Sequence, residues 1–281
     1  MRPESVLPAQ NGGIHNKRGN KEMKAKSYKL LLAAASLAAI LSGQANAETK
    51  VLVGTDASNP PFASVGTDGA LQGFDIDLVN AICAAEKLTC EIQNIPWDGI
   101  FAALDSGKIQ VVAAGLNITP ERLKKYAMPG PYLSSPFAYI APASSTLDGT
   151  KEGLSGKTIG TVAASAMEKY LNANMAGTIN VSTYDSWDAA VLDLDSGRTD
   201  AVFGELIALQ VAYIKAKPGV YKIVGQPISD PTYSGQGKGL AIPKDDKTLS
   251  AAFDEGLAKV IEDGTHAQLT KKWFGAEMPA K

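Results

Sequence analysis

A helix–turn–strand pattern occurs twice in this chain. Residues 97–107 read WDGIFAALDSG and residues 187–197 read WDAAVLDLDSG, so six positions recur at an offset of 90 (187 − 97). An apolar stretch that predicts a strand follows each copy, at 109–114 and at 201–203. Because ligands of open α/β sheets bind at the carboxyl ends of the strands, the repeat predicts two ligand-binding edges.

The first edge lies in residues 109–122, IQVVAAGLNITPER. This segment predicts a buried strand, a polar turn and a helix that Thr119 can cap and Pro120 can begin. Arg122 then stands one turn into the helix, where backbone amides and a guanidinium suit a small anion, most simply a carboxylate. A plain strand–loop–helix connection with a solvated arginine is the alternative, and it is the more common outcome on local evidence.

The second edge carries an acid. Counting on by the offset of the repeat sets Glu205 opposite Gly115. One edge is therefore followed by a cation, Arg122, and the other holds an anion. Two such edges facing each other would hold a ligand that carries both charges.

The first 47 residues differ from the rest of the chain. Three lysines within residues 24–29 precede an apolar run at 30–41, and Ala-Asn-Ala follows at 45–47. This is the pattern of a cleavable secretory signal peptide. The apolar run is shorter than the roughly 20 residues that span a bilayer. We therefore expect an N-terminal extension and signal peptide over 1–47 and a mature start near Glu48.

The expected mature chain is acidic. Residues 1–47 hold seven of the 27 Lys and Arg and two of the 29 Asp and Glu, so the rest carries 20 − 27 = −7. A negative net charge opposes binding to nucleic acid. We expect either that translation starts at Met23 or that it starts at Met1 and residues 1–22 form an unstructured extension.

The cysteines and histidines predict no metal or catalytic cluster. Cys83 and Cys90 are the two cysteines, separated by 7 positions (90 − 83), which in an exported chain predicts one local disulfide. Metal binding is the alternative, but no histidine is nearby. His266 lies near the C-terminus, away from the predicted edges, so we expect neither catalytic residues nor a cofactor.

Strands alternate with helices along the chain, which indicates an α/β fold with mostly parallel sheets flanked by helices. An extended apolar run up to Ala141 and a Gly/Pro/Ser-rich segment up to Gly239 read as two crossovers. We therefore predict a first lobe from 48–141 and 240–281 and a second lobe from 142–239. Two crossings make a hinge, with the cleft between the lobes.

Several polar or aromatic residues have two interpretations from sequence alone. Asp56 follows a strand, so it either faces the cleft or caps local amides in a turn. Ser165 either caps a helix or offers an anion-binding edge. Trp97 is a cleft wall or core, and core is the commoner outcome. Asp75 and Asp77 are expected to cap the first turn of a helix.

The motifs then identify a family. The run GFDIDL at 73–78, preceded by GTD at 54–56, strongly resembles the opening of the polar amino-acid periplasmic binding proteins that serve ABC importers. ITPER at 118–122 and KWFG at 272–275 are similar to that family at the expected places. The two cysteines resemble those of the histidine and lysine/arginine/ornithine binders. The resemblance covers about residues 50–275 and implies a two-lobed periplasmic-binding-protein-like fold in the periplasm.

The resemblance also implies ligand roles. Arg122 would clamp the α-carboxylate, Glu205 would receive the α-amino group, and Gly115 would offer its backbone. The donors near the carboxylate would be the amides at Asn117 and Ala166 together with Ser165. Asp56, Asn59 and Trp97 would face the ligand side chain, and Met167 belongs to the second lobe's binding loop.

Departures from the family pattern concern the ligand. Glu205 stands where the family usually has Asp, and Asn59 where basic amino-acid binders often have a stacking aromatic. Ala164 and Met167 make the second lobe's binding loop more apolar than usual. We therefore expect an amino acid or an amino-acid derivative, such as an opine or an N-substituted ligand.

The resemblance implies a monomer that closes on its ligand and delivers it to the membrane subunits of an ABC importer. An exported enzyme on the same fold, similar to cyclohexadienyl or arogenate dehydratases, is the alternative from another class. In it Glu205 or Asp56 would act as a general acid. A ligand receptor for a sensor partner is a third possibility.

Overall fold

The computed structural model describes residues 50–134 and 136–280. The expected leader at 1–47 and the mature start near Glu48 lie outside the described residues. The strands, in chain order, are β1 Lys50–Thr55, β2 Ser58–Asn59, β3 Ala63–Val65, β4 Leu71–Gln72, β5 Thr89–Asn94, β6 Val111–Asn117, β7 Tyr126–Ala127, β8 Phe137–Pro142, β9 Thr158–Val162, β10 Asn180–Tyr184, β11 Ala201–Glu205, β12 Tyr221–Ile228 and β13 Lys238–Pro243.

Helices connect these strands. They are α1 Phe74–Ala85, α2 Trp97–Asp105, α3 Pro120–Lys125, α4 Ala166–Asn174, α5 Trp187–Asp195, α6 Leu206–Leu209, continued as a π-helical turn at Gln210–Ile214, α7 Lys247–Glu262 and α8 Thr265–Phe274. None of the helices within the described residues is both long and apolar enough to cross a membrane.

Two five-stranded sheets form the two lobes. The first has the order β5-β1-β6-β13-β7 and the second the order β10-β9-β11-β8-β12. In each sheet three neighbouring strands pair in parallel, and the strand that follows a crossing, β13 or β8, joins them antiparallel. Two apolar clusters pack on the first sheet and one packs on the second. The predicted two-lobed α/β fold is confirmed.

The internal repeat is confirmed in both lobes. Helices α2 and α5 each span 9 residues and each leads into a parallel strand. Both helices end before a glycine with positive φ, Gly107 at 73° and Gly197 at 74°. Glycine is favoured there because the left-handed conformation that ends the helix strains a residue with a Cβ. The shared DSG sequence therefore fixes where each helix stops and where the next strand begins.

The lobe boundary shifts relative to the prediction. Phe137–Pro142 pairs with β11 in the second sheet, although we predicted that the first lobe extends to residue 141. The return strand begins at Lys238, close to the predicted boundary at 240. The two crossings are hydrogen-bonded to each other, since Lys238 N donates to Leu133 O at 2.6 Å. We propose that the first crossing comes before Phe137.

The disulfide between Cys83 and Cys90 joins the end of α1 to the start of β5, as predicted. It lies at the amino end of β5, opposite the carboxyl ends that form the cleft. Replacing both cysteines by alanine should lower the free energy of unfolding by about 2–3 kcal/mol, because the unfolded chain regains the entropy of a short loop. Urea unfolding measures this loss. Ligand affinity measured by calorimetry should not change, and a large change in affinity would contradict the placement.

Candidate functional site

One cleft collects the carboxyl ends of strands from both lobes. It has a volume of about 500 Å³ including the part open to solvent, a size typical of small-molecule sites. All of the ligand-site residues predicted from sequence line it: Asp56, Asn59, Trp97, Gly115, Asn117, Arg122, Ser165, Ala166, Met167 and Glu205. Their contacts with a ligand stay predictions. Ser58, Ala114, Val162, Ser186 and Trp187 also line the cleft and were not predicted.

Arg122 is a fixed cation in this cleft. Thr119 Oγ1 accepts a hydrogen bond from Arg122 N and caps α3, as predicted. The guanidinium donates from Nη1 to Asn117 O at 3.0 Å, and its carbon lies 5.3 Å from the centre of the Phe101 ring. Burial lowers the pKa of Arg122 to about 10, opposed by the nearby Glu205 carboxylate. The side chain therefore stays charged at neutral pH, and a guanidinium has five N–H donors, enough to bind a carboxylate as well.

The amino end of α4 faces Arg122 from the second lobe. Ser165 Oγ accepts from Glu168 N at 3.1 Å and donates to Val162 O at 2.6 Å. The hydroxyl is thus a helix cap, one of the two roles expected for it. Ala166 and Met167 occupy the first turn, where backbone N–H groups have no partner inside a helix. Those amides, rather than the Ser165 hydroxyl, are available to an anion.

Asp56 combines both of its expected roles. Its Oδ1 accepts from Ser58 N at 3.0 Å and from Ser58 Oγ at 2.8 Å, which makes it a turn carboxylate. The residue also lines the cleft. Only one carboxylate oxygen has a hydrogen bond to the described residues, so the other is available for a ligand cation.

Two buried amide oxygens in the cleft have no hydrogen-bond partner among the described residues, those of Asn59 and Asn117. Asn59 Nδ2 lies 3.4 Å from Ala114 O, and Asn117 Nδ2 donates to Glu205 at 3.2 Å. Leaving a buried polar atom unpaired is costly. Both oxygens therefore favour a ligand that brings hydrogen-bond donors.

The two tryptophans of the repeat face the cleft from opposite lobes. Trp97 and Trp187 begin α2 and α5 and both line the cavity. Trp97 Nε1 donates across the cleft to Ala163 O at 3.1 Å. Trp97 is therefore a cleft wall rather than core. The offset of the repeat could have identified Trp187 as its counterpart, although the residue was not predicted.

A buried network under the cleft was missed by the sequence analysis. Lys238 Nζ pairs with Glu205 Oε1 and donates to Gly115 O at 2.6 Å. Asp75 Oδ2 accepts from Gly115 N at 2.5 Å, and Asp75 Oδ1 accepts from the Tyr132 hydroxyl at 2.9 Å. Both backbone groups of Gly115 are thus hydrogen-bonded within the protein.

Asp75 was expected to cap a helix, and that prediction is wrong. The side chain is fully buried, and Gly73 precedes α1 without a side-chain cap. The helical spacing held a signal for this, because Asp75, Leu78 and Ile82 fall on one face at i, i+3 and i+7. Lys238 gave no comparable signal, since a lysine among glycines reads as an exposed crossover.

Gly115 has a conformation that the network requires. Its φ is +63°, and a Cβ there would lie 3.0 Å from both Asn59 Nδ2 and the Phe62 ring. A residue with a side chain would be strained in this backbone conformation and would crowd the cleft floor. Glycine thus fits this backbone conformation, in which its N–H donates to Asp75 and its carbonyl accepts from Lys238, without crowding Asn59 or Phe62.

Burial raises the pKa of Asp75 from its ordinary value of 3.8 to about 6, while hydrogen bonds from Gly115 and Tyr132 lower it. A raised carboxyl pKa contributes stability that is fully present below pH 3.8 and is lost as the pH rises through 6. The unfolding free energy of the wild type minus that of Asp75→Asn should therefore fall by about 3 kcal/mol between pH 3.5 and 6.5. Urea unfolding across this range measures the difference. A difference that does not vary with pH would contradict the assignment.

Tyr132→Phe provides a second test of the raised pKa of Asp75. The Tyr132 hydroxyl lowers the pKa of Asp75 by donating to its carboxylate. Removing that donor should move the fall in stability to higher pH. A fall that stays at the wild-type pH would mean that another group is responsible.

These features define a solute-binding protein that holds a small molecule between two lobes. The chain belongs to the bacterial extracellular solute-binding proteins, family 3, whose model matches residues 51–276. It is 34% identical to ABC transporter arginine-binding protein 1 of Escherichia coli (strain K12), over 88% of this chain and 99% of that protein. It is 30% identical to the lysine/arginine/ornithine-binding periplasmic protein of the same strain, over 89% of this chain and 96% of that protein.

A solved structure supports the same assignment. A Salmonella typhimurium periplasmic binding protein, described for its high arginine specificity, superposes with a TM-score of 0.74 at 30% identity. The match covers 80% of this chain and 99% of that one. The family and these neighbours are binding proteins. The family predicted from the motifs is confirmed.

Proposed function

We propose that this protein captures an amino acid or an amino-acid derivative in the periplasm and delivers it, as a monomer, to the membrane subunits of an ABC importer. The proposal rests on the position of Arg122 in the cleft. Its guanidinium lies in the same cleft as the first-turn amides of α4, which is an arrangement suited to a carboxylate. The named relatives bind arginine and other basic amino acids.

Hinge closure is the mechanism that the contacts across the cleft support. Trp97 donates to Ala163 of the second lobe, Asn117 donates to Glu205, and Lys169 pairs with Glu121. These contacts join the two lobes across the cleft, as closure on a ligand would require. A ligand shifts the population toward the closed form by its preferential binding to it, and domain closure of periplasmic binding proteins is a known case of such motion.

The existing hydrogen bonds of the two candidate general acids, Glu205 and Asp56, disfavour an enzyme. Glu205 accepts hydrogen bonds from Lys238 and Asn117, and Asp56 accepts two from Ser58. His266 contacts Tyr132 O at 2.6 Å behind the cleft floor. Turnover of prephenate or arogenate by the purified protein would revive the dehydratase alternative.

A thermal-shift screen tests the proposed function. The panel holds amino acids, their N-substituted and hydroxy derivatives, and opines. A ligand stabilises the protein by RT ln(1 + [L]/Kd), so true binders raise the melting temperature as concentration rises. The same screen on Arg122→Lys is the control, because stabilisation through the cleft should weaken there. Failure of every carboxylate in the panel would overturn the proposal.

A further inference from the structure

Lys238 is a buried cation beneath the cleft, in contact with two residues that line it, Glu205 and Gly115. It begins β13, directly after the return crossing, and its relative exposure is 0%. Its Nζ lies 5.2 Å from the centre of the Phe62 ring. A lysine is almost never fully buried without a partner, and here the partners are Glu205 and Gly115 O. Lys238 comes from the first sheet and Glu205 from the second, so the pair joins the lobes beneath the cleft.

These partners are the acceptors that a ligand's α-ammonium would need. The resemblance to amino-acid binders assigns the ammonium to Glu205 and has Gly115 offer its backbone to the ligand. In the structure Lys238 donates to both. Glu205 Oε1 also accepts from Asn117 Nδ2 at 3.2 Å, so one oxygen of this carboxylate already serves two donors.

The charges in the cleft also favour a ligand without an α-ammonium. Glu205 and Lys238 form a pair with no net charge. Asp75, whose pKa is raised to about 6, adds a negative charge at neutral pH where it accepts from Gly115 N. Arg122 is the cation that faces a ligand carboxylate. A zwitterionic amino acid would add a second ammonium next to the Lys238 ammonium in a buried site. Like charges at short range in a low-dielectric site repel strongly. A ligand without the extra positive charge avoids this repulsion.

The unpaired oxygen of Asn117 adds a requirement. Asn117 Nδ2 is bonded to Glu205, while its Oδ1 is buried without a partner among the described residues. An acceptor beside Glu205 calls for a donor on the ligand, and an O–H or an amide N–H supplies one without charge. A keto group at this position supplies none.

We propose that Lys238 takes the place of a ligand's α-ammonium and that the cleft selects carboxylates whose α-substituent is an uncharged donor. A 2-hydroxy acid and an N-acyl amino acid have this chemistry. The proposal rests on the proposed function, because it assumes that Arg122 holds the carboxylate. It makes Lys238 a residue that determines ligand specificity.

Calorimetry with matched ligands tests the proposal. Each set consists of an L-amino acid, its Nα-acetyl derivative and its 2-hydroxy analogue, with the side chains of arginine, glutamine and histidine. In at least one set the wild type should bind an uncharged member about tenfold or more tighter than the parent amino acid, as charge repulsion predicts. Lys238→Met should reverse this order, because Glu205 is then available to an ammonium. The matched control is Lys259→Met, because Lys259 pairs with Glu86 on the surface. This variant should keep the wild-type order.

A double variant protects the test against misfolding. Lys238→Met leaves Glu205 buried without its cation, so Lys238→Met combined with Glu205→Gln removes both charges and retains similar side-chain volumes. This double variant should bind the charged and uncharged members of a set with similar affinity. If it keeps the wild-type preference, Lys238 does not determine the selection.

The outcomes separate this inference from the proposed function. Arg122-dependent binding of a free amino acid that is tighter than binding of its uncharged analogues would overturn the role of Lys238 and leave the proposed function standing. If neither the members of these sets nor the carboxylates of the thermal-shift panel bind in an Arg122-dependent manner, both proposals are wrong.

Discussion

Arg122→Lys is expected to weaken binding of the carboxylate ligand by about 10- to 100-fold, the equivalent of one lost hydrogen bond to a charged group. Lysine keeps the positive charge but lacks the planar fork that binds both carboxylate oxygens. It also loses the donation to Asn117 O and the packing of the guanidinium against Phe101. Isothermal titration calorimetry with the ligand found by thermal shift measures the change.

Arg198→Lys is the matched control for this experiment. Arg198 follows the second copy of the repeat, and its exposed guanidinium pairs with Asp193 on the surface. Surface ion pairs contribute little, so this variant should bind like the wild type. Unchanged affinity in Arg122→Lys would show that the carboxylate binds elsewhere, and an equal loss in both variants would point to a general effect on the protein.

The repeat explains why so much of the cleft could be predicted from sequence. A helix stop at DSG followed by a buried strand determines the end of that strand, and the ends of β6 and β11 carry Gly115, Asn117 and Glu205. The spacing of the predicted helix after β6 then places Arg122 at the same edge. Local rules were sufficient there because each residue's position follows from its own strand or helix.

The lobe boundary needed information that no local rule holds. Phe137–Pro142 is an apolar strand that could pair with either sheet, and its sequence does not specify which. It joins the second sheet because it pairs antiparallel with β11. Pairing across more than 60 positions is a tertiary property, so the sequence alone did not show which sheet this strand joins.

The floor of the cleft shows the same limit for charged residues. Lys238 and Asp75 are buried because Glu205, Gly115 and Tyr132 come from distant segments to satisfy them. Without those partners a lysine after glycines is correctly expected in solvent. Buried charge is predictable only once the partners are known to converge, and here they converge between two lobes.

We therefore expect the Lys238–Glu205 pair to contribute more to the free energy of unfolding than the exposed Lys169–Glu121 pair does. Lys238→Met and Glu205→Gln should each lower the free energy of unfolding by about 3–5 kcal/mol, because each leaves a buried group without its partner. The double variant should cost clearly less than the sum of the two, since no uncompensated charge remains. Urea unfolding of the four proteins gives the coupling energy as a double-mutant cycle.

An exposed pair across the same cleft provides the comparison. Lys169 on α4 and Glu121 on α3 also join the lobes, but half or more of each side chain is exposed, at 50% and 70%. Solvent screens such a pair, so its cycle should give a coupling of about 0–1 kcal/mol. If the buried pair couples no more strongly than this one, Lys238 is not held by Glu205 and the charge balance assigned to the cleft floor is wrong. A larger coupling in the buried cycle would instead show that Lys238 is the cation paired with Glu205 in the ligand-free protein.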